Sequence, residues 1–289
     1  MQHPAYALTM PNRRTTATIF ASPHSGRDYP WAFLRRSVLD EQAIRSSEDA
    51  FVDLLVADAP AHGAPLIAAR APRAFVDLNR GAEELDPALI RGVAGGAHNP
   101  RVASGLGVIP RVVAGGREIY RGKISLGEVR ARLEEHWYPY HAKLQGLIEE
   151  SRLLFGQALL VDCHSMPHAA IESLCRHRSE TPEIVIGDRY GAAAGGSIVE
   201  RIEAAFRKEG FRVALNTPFA GAYTAQAYGR PSQRSHVVQI EIDRSLYMNE
   251  RDLCPNGNFG AMQRILGRII AELAGIGRPE AESAPLAAE

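Results

Sequence analysis

Apolar and polar positions along this chain alternate with two different periods, which separates short strands from long amphipathic helices. The run around which the rest is organised is QALLVDCHSM at 157–166. Ala158 to Cys163 is small, apolar and β-branched, short enough for a buried strand and too short for a good helix. Similar runs predict strands at 15–22 (TTATIFAS), 65–69, 74–78, 183–188 (EIVIGD), 211–216 (FRVALN) and 236–243 (HVVQIEID). Helical spacing predicts a long helix over 125–153. Leu133, Trp137, Tyr140, Leu144 and Leu147 form its apolar face, Glu128, Arg132, Glu134 and Glu135 its polar one, and Pro139 kinks or splits it. Further helices are expected over 197–209 and 257–274, and one from an N-cap at Ser46 or Ser47 to His62-Gly63. VIPRVV and REIYRGKI flank a hairpin turn at Gly115-Gly116. Residues 81–107 lack periodicity, which inside a compact domain marks a functional or mobile loop.

Strands and helices thus alternate through most of the chain, and no shift in composition demands a second domain. The expected architecture is a single catalytic α/β domain over 1–274, with a mixed or largely parallel central sheet flanked by helices. The tail 275–289, rich in Ala, Pro and Glu, is expected to be disordered.

Composition narrows the partners. Apolar residues make up 45% of the 289 residues and charged ones 23%, enough for a real core. Lys plus Arg equals Asp plus Glu at 33 each, so no global field recruits nucleic acid or an anionic membrane. No apolar run approaches the ~18 residues needed to span a bilayer, and MQHPAYALTMPNRR lacks the pattern of a signal peptide. Cys163, Cys175 and Cys254 are an odd, scattered set, which points to a reducing cytoplasm and not to a disulfide framework. A homo-oligomer is left open.

Candidate chemistry collects at strand ends. His24 follows the first predicted strand, Asn79-Arg80 another, Asp162 and His164 the organising one, and Glu241 lies in the last. Open α/β sheets bind ligands beyond the carboxyl ends of their strands. Asp162 lies two residues before His164, hence on the same face, as a carboxylate that orients a metal-ligating or basic histidine would. On 236–243, Gln239, Glu241 and Asp243 share one face and Val238, Ile240 and Ile242 the other. A Glu inside such a strand is costly unless it is used or paired, for instance with Arg244 or Arg234. Two histidines and a carboxylate with an open fourth position form the ligand set of a hydrolytic zinc site, and the remaining Glu can act as general base. Glu48 and Asp49 also have a purely structural reading, as acidic residues in the first turn of a helix.

PHSG at 23–26, SEDAFVDLL at 47–55, FVDLNR at 75–80, IYRGKI with the later PYHAKL, VDCHSM at 161–166 and QIEIDRSLYMNE at 239–250 together resemble the N-formylglutamate amidohydrolase family. The resemblance runs in order from about residue 15 to residue 270. It implies a phosphorylase/hydrolase-like α/β fold, more distantly similar to zinc carboxypeptidases and aspartoacylases. It also implies His24 and His164 as metal ligands, Glu241 as the catalytic carboxylate and Arg80 as a clamp for a substrate carboxylate. Carboxypeptidase-like sites carry a short HxxE, but Ser25, Gly26 and Arg27 follow His24 here, so the third ligand must come from Glu48 or Asp49. The resemblance favours Asp49 and reach favours Glu48.

The expected activity is a metal-dependent amidohydrolase, with one divalent metal and zinc as first choice, acting on a small dicarboxylate. N-formyl-L-glutamate going to formate and L-glutamate is the reaction that the resemblance implies. A dicarboxylate needs at least two fixed cations, drawn from Arg80, Arg121 and Arg244, with Asn79 and Tyr223 adding neutral hydrogen bonds. Alternatives are a related deacylase with another acyl group, a non-catalytic binding relative, or a metal-free hydrolase using Ser165 or Cys163. No Gly-x-Ser-x-Gly elbow frames Ser165, and Cys163 should face the core.

Overall fold

The computed structural model describes residues 4–94, 99–172 and 181–279. Besides a two-stranded ribbon of Met248–Asn249 and Cys254–Pro255, its strands, in chain order, are β1 (Tyr6–Thr9), β2 (Thr18–Ser22), β3 (Leu66–Ala69), β4 (Val112–Val113), β5 (Arg117–Glu118), β6 (Ala158–Met166), β7 (Ile184–Gly187), β8 (Val213–Leu215) and β9 (Ser235–Asp243). β4 and β5 form a separate hairpin, and the others make one seven-stranded sheet in the order β1-β3-β2-β6-β9-β7-β8. The four central strands β3, β2, β6 and β9 run parallel, while β1 at one side and β7 with β8 at the other run against them.

The longer helices are α1 (Leu126–Arg132), α2 (Tyr138–Phe155), α3 (Gly196–Lys208) and α4 (Phe259–Ile276). They cover both faces, as a parallel sheet requires. Ile19, Ala21, Leu160 and Val237 pack with Leu133, Trp137 and Leu144 on one face. Phe20, Leu159, Val161 and Ile240 pack with Ile202, Phe206, Leu266 and Ile270 on the other. Along β6 the alternation of a strand therefore puts Asp162 and His164 on the α1–α2 side, in line with Leu160. Cys163 falls on the opposite side, in the α3–α4 core.

Sheet order decides where a ligand can enter. From β2 the chain moves to β3 on one side, and β6 then takes the other side of β2. The crevice of an open α/β sheet forms where the winding direction reverses, outside the carboxyl ends of the strands. That point lies between β2, which leads into His24, and β6, which carries His164. In the β6–β9 register, Asp162 stands beside Gln239 and His164 beside Glu241. Neighbouring strands are only about 4.8 Å apart, so the sheet itself brings a histidine and a glutamate together.

Three expected elements differ. The helix over 47–63 is only a short turn at Val52–Leu55, preceded by Phe51 at φ 66° and followed by a 3₁₀ turn at Ala59–His62. Glu48 and Asp49 therefore sit on irregular backbone, where the Asp49 amide donates to the His24 carbonyl (3.0 Å), and helix-dipole reasoning does not apply to them. Residues 74–78 are a turn and not a strand: the amides of Phe75 and Val76 both donate to the Pro72 carbonyl, and that of Asp77 to Val108. Helices α1 and α2 are continuous through a π turn at Leu133–Trp137, so Pro139 produces a bulge and no break. Pro139 has no N–H for the carbonyl four residues back, and the wider turn before it absorbs the loss. A short helix, Tyr223–Tyr228, lies inside what reads in sequence as a Gly/aromatic loop. The C-terminal helix runs to Ile276, and residues 280–289 of the expected disordered tail lie outside the described residues. Among the described residues no helix is long and apolar enough to cross a membrane.

The layer that carries His164 depends on the packing of Leu160, which is fully buried. Leu160→Ala should lower unfolding stability by about 2–5 kcal/mol in urea denaturation. A change below about 1 kcal/mol would mean that this face of the sheet is not close-packed against α2.

Candidate active site

Beyond the carboxyl ends of β2 and β6 three potential ligand atoms converge. His24 and His164 turn their Nδ1 atoms toward each other at 3.1 Å. Asp49 Oδ2 lies 3.3 Å from the first and 3.0 Å from the second. All three residues are buried. The opposite ring nitrogens are both engaged: His24 Nε2 meets Asp77 Oδ1 at 2.7 Å, and His164 Nε2 meets Asp162 Oδ2 at 3.1 Å. A buried carboxylate accepts from an N–H, so Asp77 and Asp162 favour a proton on each Nε2, and a ring with no second proton presents its Nδ1 lone pair to the centre. Carboxylate–histidine pairs of this kind orient metal-ligating imidazoles and raise their basicity.

The carboxylates are themselves held. Arg73 Nε donates to Asp77 (3.0 Å), and Arg244 Nη2 to Asp49 Oδ1 (3.0 Å). Asn79 Nδ2 donates to Asp162 (3.4 Å), and Asn79 Oδ1 accepts from the Thr224 amide (2.8 Å). Gly26 permits the close approach that joins the His24 segment to the 70–80 turn, because a Cβ there would lie 2.1 Å from the Ala71 carbonyl oxygen.

Electrostatics follow from three acceptors facing one point in a buried site. Burial would lower the pKa of His164, but the carboxylates of Asp162 and Asp49 outweigh it and hold the imidazolium well above its usual range. Burial would raise Asp49, yet His164 and His24 hold it well below the carboxylate range. Asp77 is likewise held low, with Arg73 and His24 outweighing burial. Glu241 goes the other way. Burial, with the nearby charge of Asp49, pushes it up to about 7 against the pull of His164. It accepts from Gln239 Nε2 (2.8 Å), and among the described residues it forms no ion pair.

His24, Asp77, His164 and Glu241 line the floor of a cavity of about 600 Å³. Leu106, Val112, Val113, Met166 and Phe219 form much of its apolar wall, and the hairpin turn Gly115-Gly116 sits at its edge. A few convergent polar groups in a largely apolar cleft is the usual form of a small-molecule site.

The residues singled out in sequence divide clearly. His24, His164, Asn79, Arg80, Glu241 and Arg244 all line the cavity, and Asp49 lies against both histidines. Glu48 does not join them. Its carboxylate accepts from Tyr29 Oη (2.6 Å) and Arg45 Nε (3.0 Å). Arg121 is exposed and outside the cavity wall, because the β4–β5 hairpin places it past the edge. The Tyr223 ring packs on Trp137 and His141 and does not line the cavity. Arg244 reaches the cavity, but its guanidinium is engaged by Asp49, the Ser165 hydroxyl and the Ser46 carbonyl. That makes it a partner of Asp49 more than a clamp for a ligand. It also occupies Ser165, and Cys163, facing the other core, has its thiol pKa pushed far up by burial, so neither is placed as a nucleophile. Sequence reasoning assigned no role to Asp77 or Arg73. Their i, i+4 spacing was visible, but only the turn at Pro72 shows that the pair backs His24.

Comparison with known proteins identifies the family. The profile of the family described as N-formylglutamate amidohydrolase matches residues 16–248. N-formylglutamate deformylases of Pseudomonas putida and Pseudomonas aeruginosa are each 29% identical over 241 residues, 81% of this chain and 82% of theirs. The crystal structure of N-formylglutamate amidohydrolase from Ralstonia eutropha JMP134 superposes with a TM-score of 0.89 at 32% identity, covering 95% of this chain and 99% of that one. Fold, buried site and relatives together define a hydrolase built on a single α/β domain. Within that class, the chain belongs to the N-formylglutamate amidohydrolase family.

The two neighbouring acids should behave differently. Asp49→Asn should reduce hydrolase activity by more than about 100-fold, while Glu48→Gln should stay within a few-fold of the parent. Equal losses in steady-state kinetics would place Glu48 in the site as well.

Proposed function

We propose that the protein is a divalent-metal-dependent deformylase that hydrolyses N-formyl-L-glutamate to formate and L-glutamate. The observation that carries this reading is the convergence of His24 Nδ1, His164 Nδ1 and an Asp49 oxygen within 4.8 Å of one another, each imidazole backed by its own carboxylate. Such a donor set repels itself unless a positive charge stands at its centre, and two imidazoles with one carboxylate suit zinc. His24, His164 and Asp49 would hold the ion, and when bound it would supply a Lewis acid for a carbonyl oxygen and a water.

The remaining work falls to side chains. Glu241 has the properties of the general base: it is on the cavity floor beside His164 in the strand register, unpaired with any described cation, and raised toward neutrality. It takes a proton from the attacking water as oxygen bonds to the formyl carbon. It then returns that proton to the amide nitrogen as the carbon–nitrogen bond breaks, releasing formate and the amine of glutamate. Arg80 is buried, and among the described residues its guanidinium donates only to the backbone carbonyls of Leu106 and Asn79, so its charge is left for a substrate carboxylate. Site residues come from positions 24 to 244, which supports reading 1–274 as one catalytic unit.

The purified protein should release formate and glutamate in equal amounts from N-formyl-L-glutamate. In Glu241→Gln, which keeps size and hydrogen bonding, kcat should fall by a factor on the order of 10² or more with fold and substrate binding retained. A variant that unfolds while its folded fraction keeps normal specific activity would make Glu241 structural. No formate release by the parent protein would remove the deformylase reading itself.

A further inference from the structure

A substrate with two carboxylates needs a second fixed cation, and Arg80 supplies one from the cavity floor. Of the other arginines that reach the cavity, Arg73 is paired with Asp77 and Arg244 with Asp49. Arg101 is different. It lines the cavity, and among the described residues its guanidinium has no hydrogen-bond or ion-pair partner.

Its backbone is nevertheless fixed. Residues Pro100–Ala103 form a short helical turn capped by Asn99, whose Oδ1 accepts from the amides of Arg101 (3.0 Å) and Val102. Asn99 Nδ2 is anchored on Glu84 (3.0 Å). The Arg101 carbonyl accepts from the Leu106 amide (2.8 Å), and the Leu106 carbonyl accepts from Arg80 Nε (3.0 Å). The Arg80 guanidinium and the Arg101 backbone are thus tied through one residue, Leu106. The two side chains lie close enough for the charge of Arg101 to act on Arg80, whose pKa burial already lowers. Two like charges on one cavity wall, neither in an ion pair with a described acid, form a receptor for a second anionic group.

We propose that Arg101 is the specificity-determining residue for the side-chain carboxylate of the substrate, with Arg80 holding the α-carboxylate. This assignment rests on the deformylase reading above. Arg80 is buried next to Asn79, whose amide touches the Asp162 carboxylate behind His164, so it serves the carboxylate nearest the scissile amide. The side-chain carboxylate of a glutamyl group is two carbon–carbon bonds farther from the amide nitrogen, toward the exposed rim where Arg101 stands. Arginine on that rim selects an acidic amino acid over its neutral isostere because only the acid completes a charge-assisted pair.

The test compares N-formyl-L-glutamate with N-formyl-L-glutamine, which has the same shape and no second charge. Arg101→Ala, an exposed truncation, should raise KM for the glutamate substrate about tenfold or more, leave kcat within about twofold, and leave the glutamine substrate unchanged. Arg80→Lys should weaken both substrates alike, since both carry the α-carboxylate. Calorimetric binding of L-glutamate and L-glutamine to the same proteins reads the pocket without the reaction. There Arg101→Ala should abolish the preference for glutamate. An unchanged preference, or equal weakening of both ligands, overturns the role of Arg101. Should the parent protein fail to deformylate, the functional reading falls, and the binding comparison still decides Arg101.

Discussion

Everything in this site depends on one arrangement: two imidazole nitrogens and a carboxylate oxygen held face to face, out of water. Three acceptors within 3.0–3.3 Å of one another repel unless positive charge stands between them. The surroundings make the arrangement persist. Asp77 and Asp162 fix which nitrogen of each ring carries the proton, while Arg73 and Arg244 stop the carboxylates from swinging away. Buried charges are tolerated only when paired and hydrogen-bonded, and here each acid that faces the centre has a partner of its own. Glu241 forms no ion pair among the described residues, and burial, with the charge of Asp49, raises its proton affinity against the pull of His164.

The sheet explains how residues so far apart in sequence reach one point. His24 leaves β2, His164 ends β6, and Glu241 lies beside His164 because β6 and β9 pair in parallel register. The side chains stand on strands packed on both faces, and such sites hold geometry better than sites carried by loops alone. The loops contribute what must be shaped: the Pro72 turn brings Arg73, Asp77, Asn79 and Arg80, and the 99–106 segment brings Arg101. The apolar wall formed by Leu106, Val112 and Phe219 limits water around the polar floor.

Much of this was legible before any coordinates. The alternation of 158–166 and 236–243 identified both strands and the face that carries Asp162, His164 and Glu241, because period 2 leaves no freedom once one face is apolar. Tertiary forces decided the rest. An N-cap and apolar spacing argued for a helix over 47–63, but Asp49 is drawn toward the histidines and Phe51 takes a left-handed conformation, so the helix shrinks to Val52–Leu55. Apolar 74–78 looked like a strand, yet its amides turn back on Pro72. The arginines were least legible. Arg121, Arg244, Arg73 and Arg101 are alike in sequence, and only the positions of Asp49 and Asp77 show which charges are already paired.

The most direct test of the central claim is the metal content and affinity of the purified protein. Titration of chelator-treated protein with zinc should show one ion per chain, lost in His164→Ala and weakened about 10–100-fold in Asp162→Asn, where only the partner of a ligand has changed. Full-affinity binding that persists in both variants, or no binding by the parent, would contradict the account.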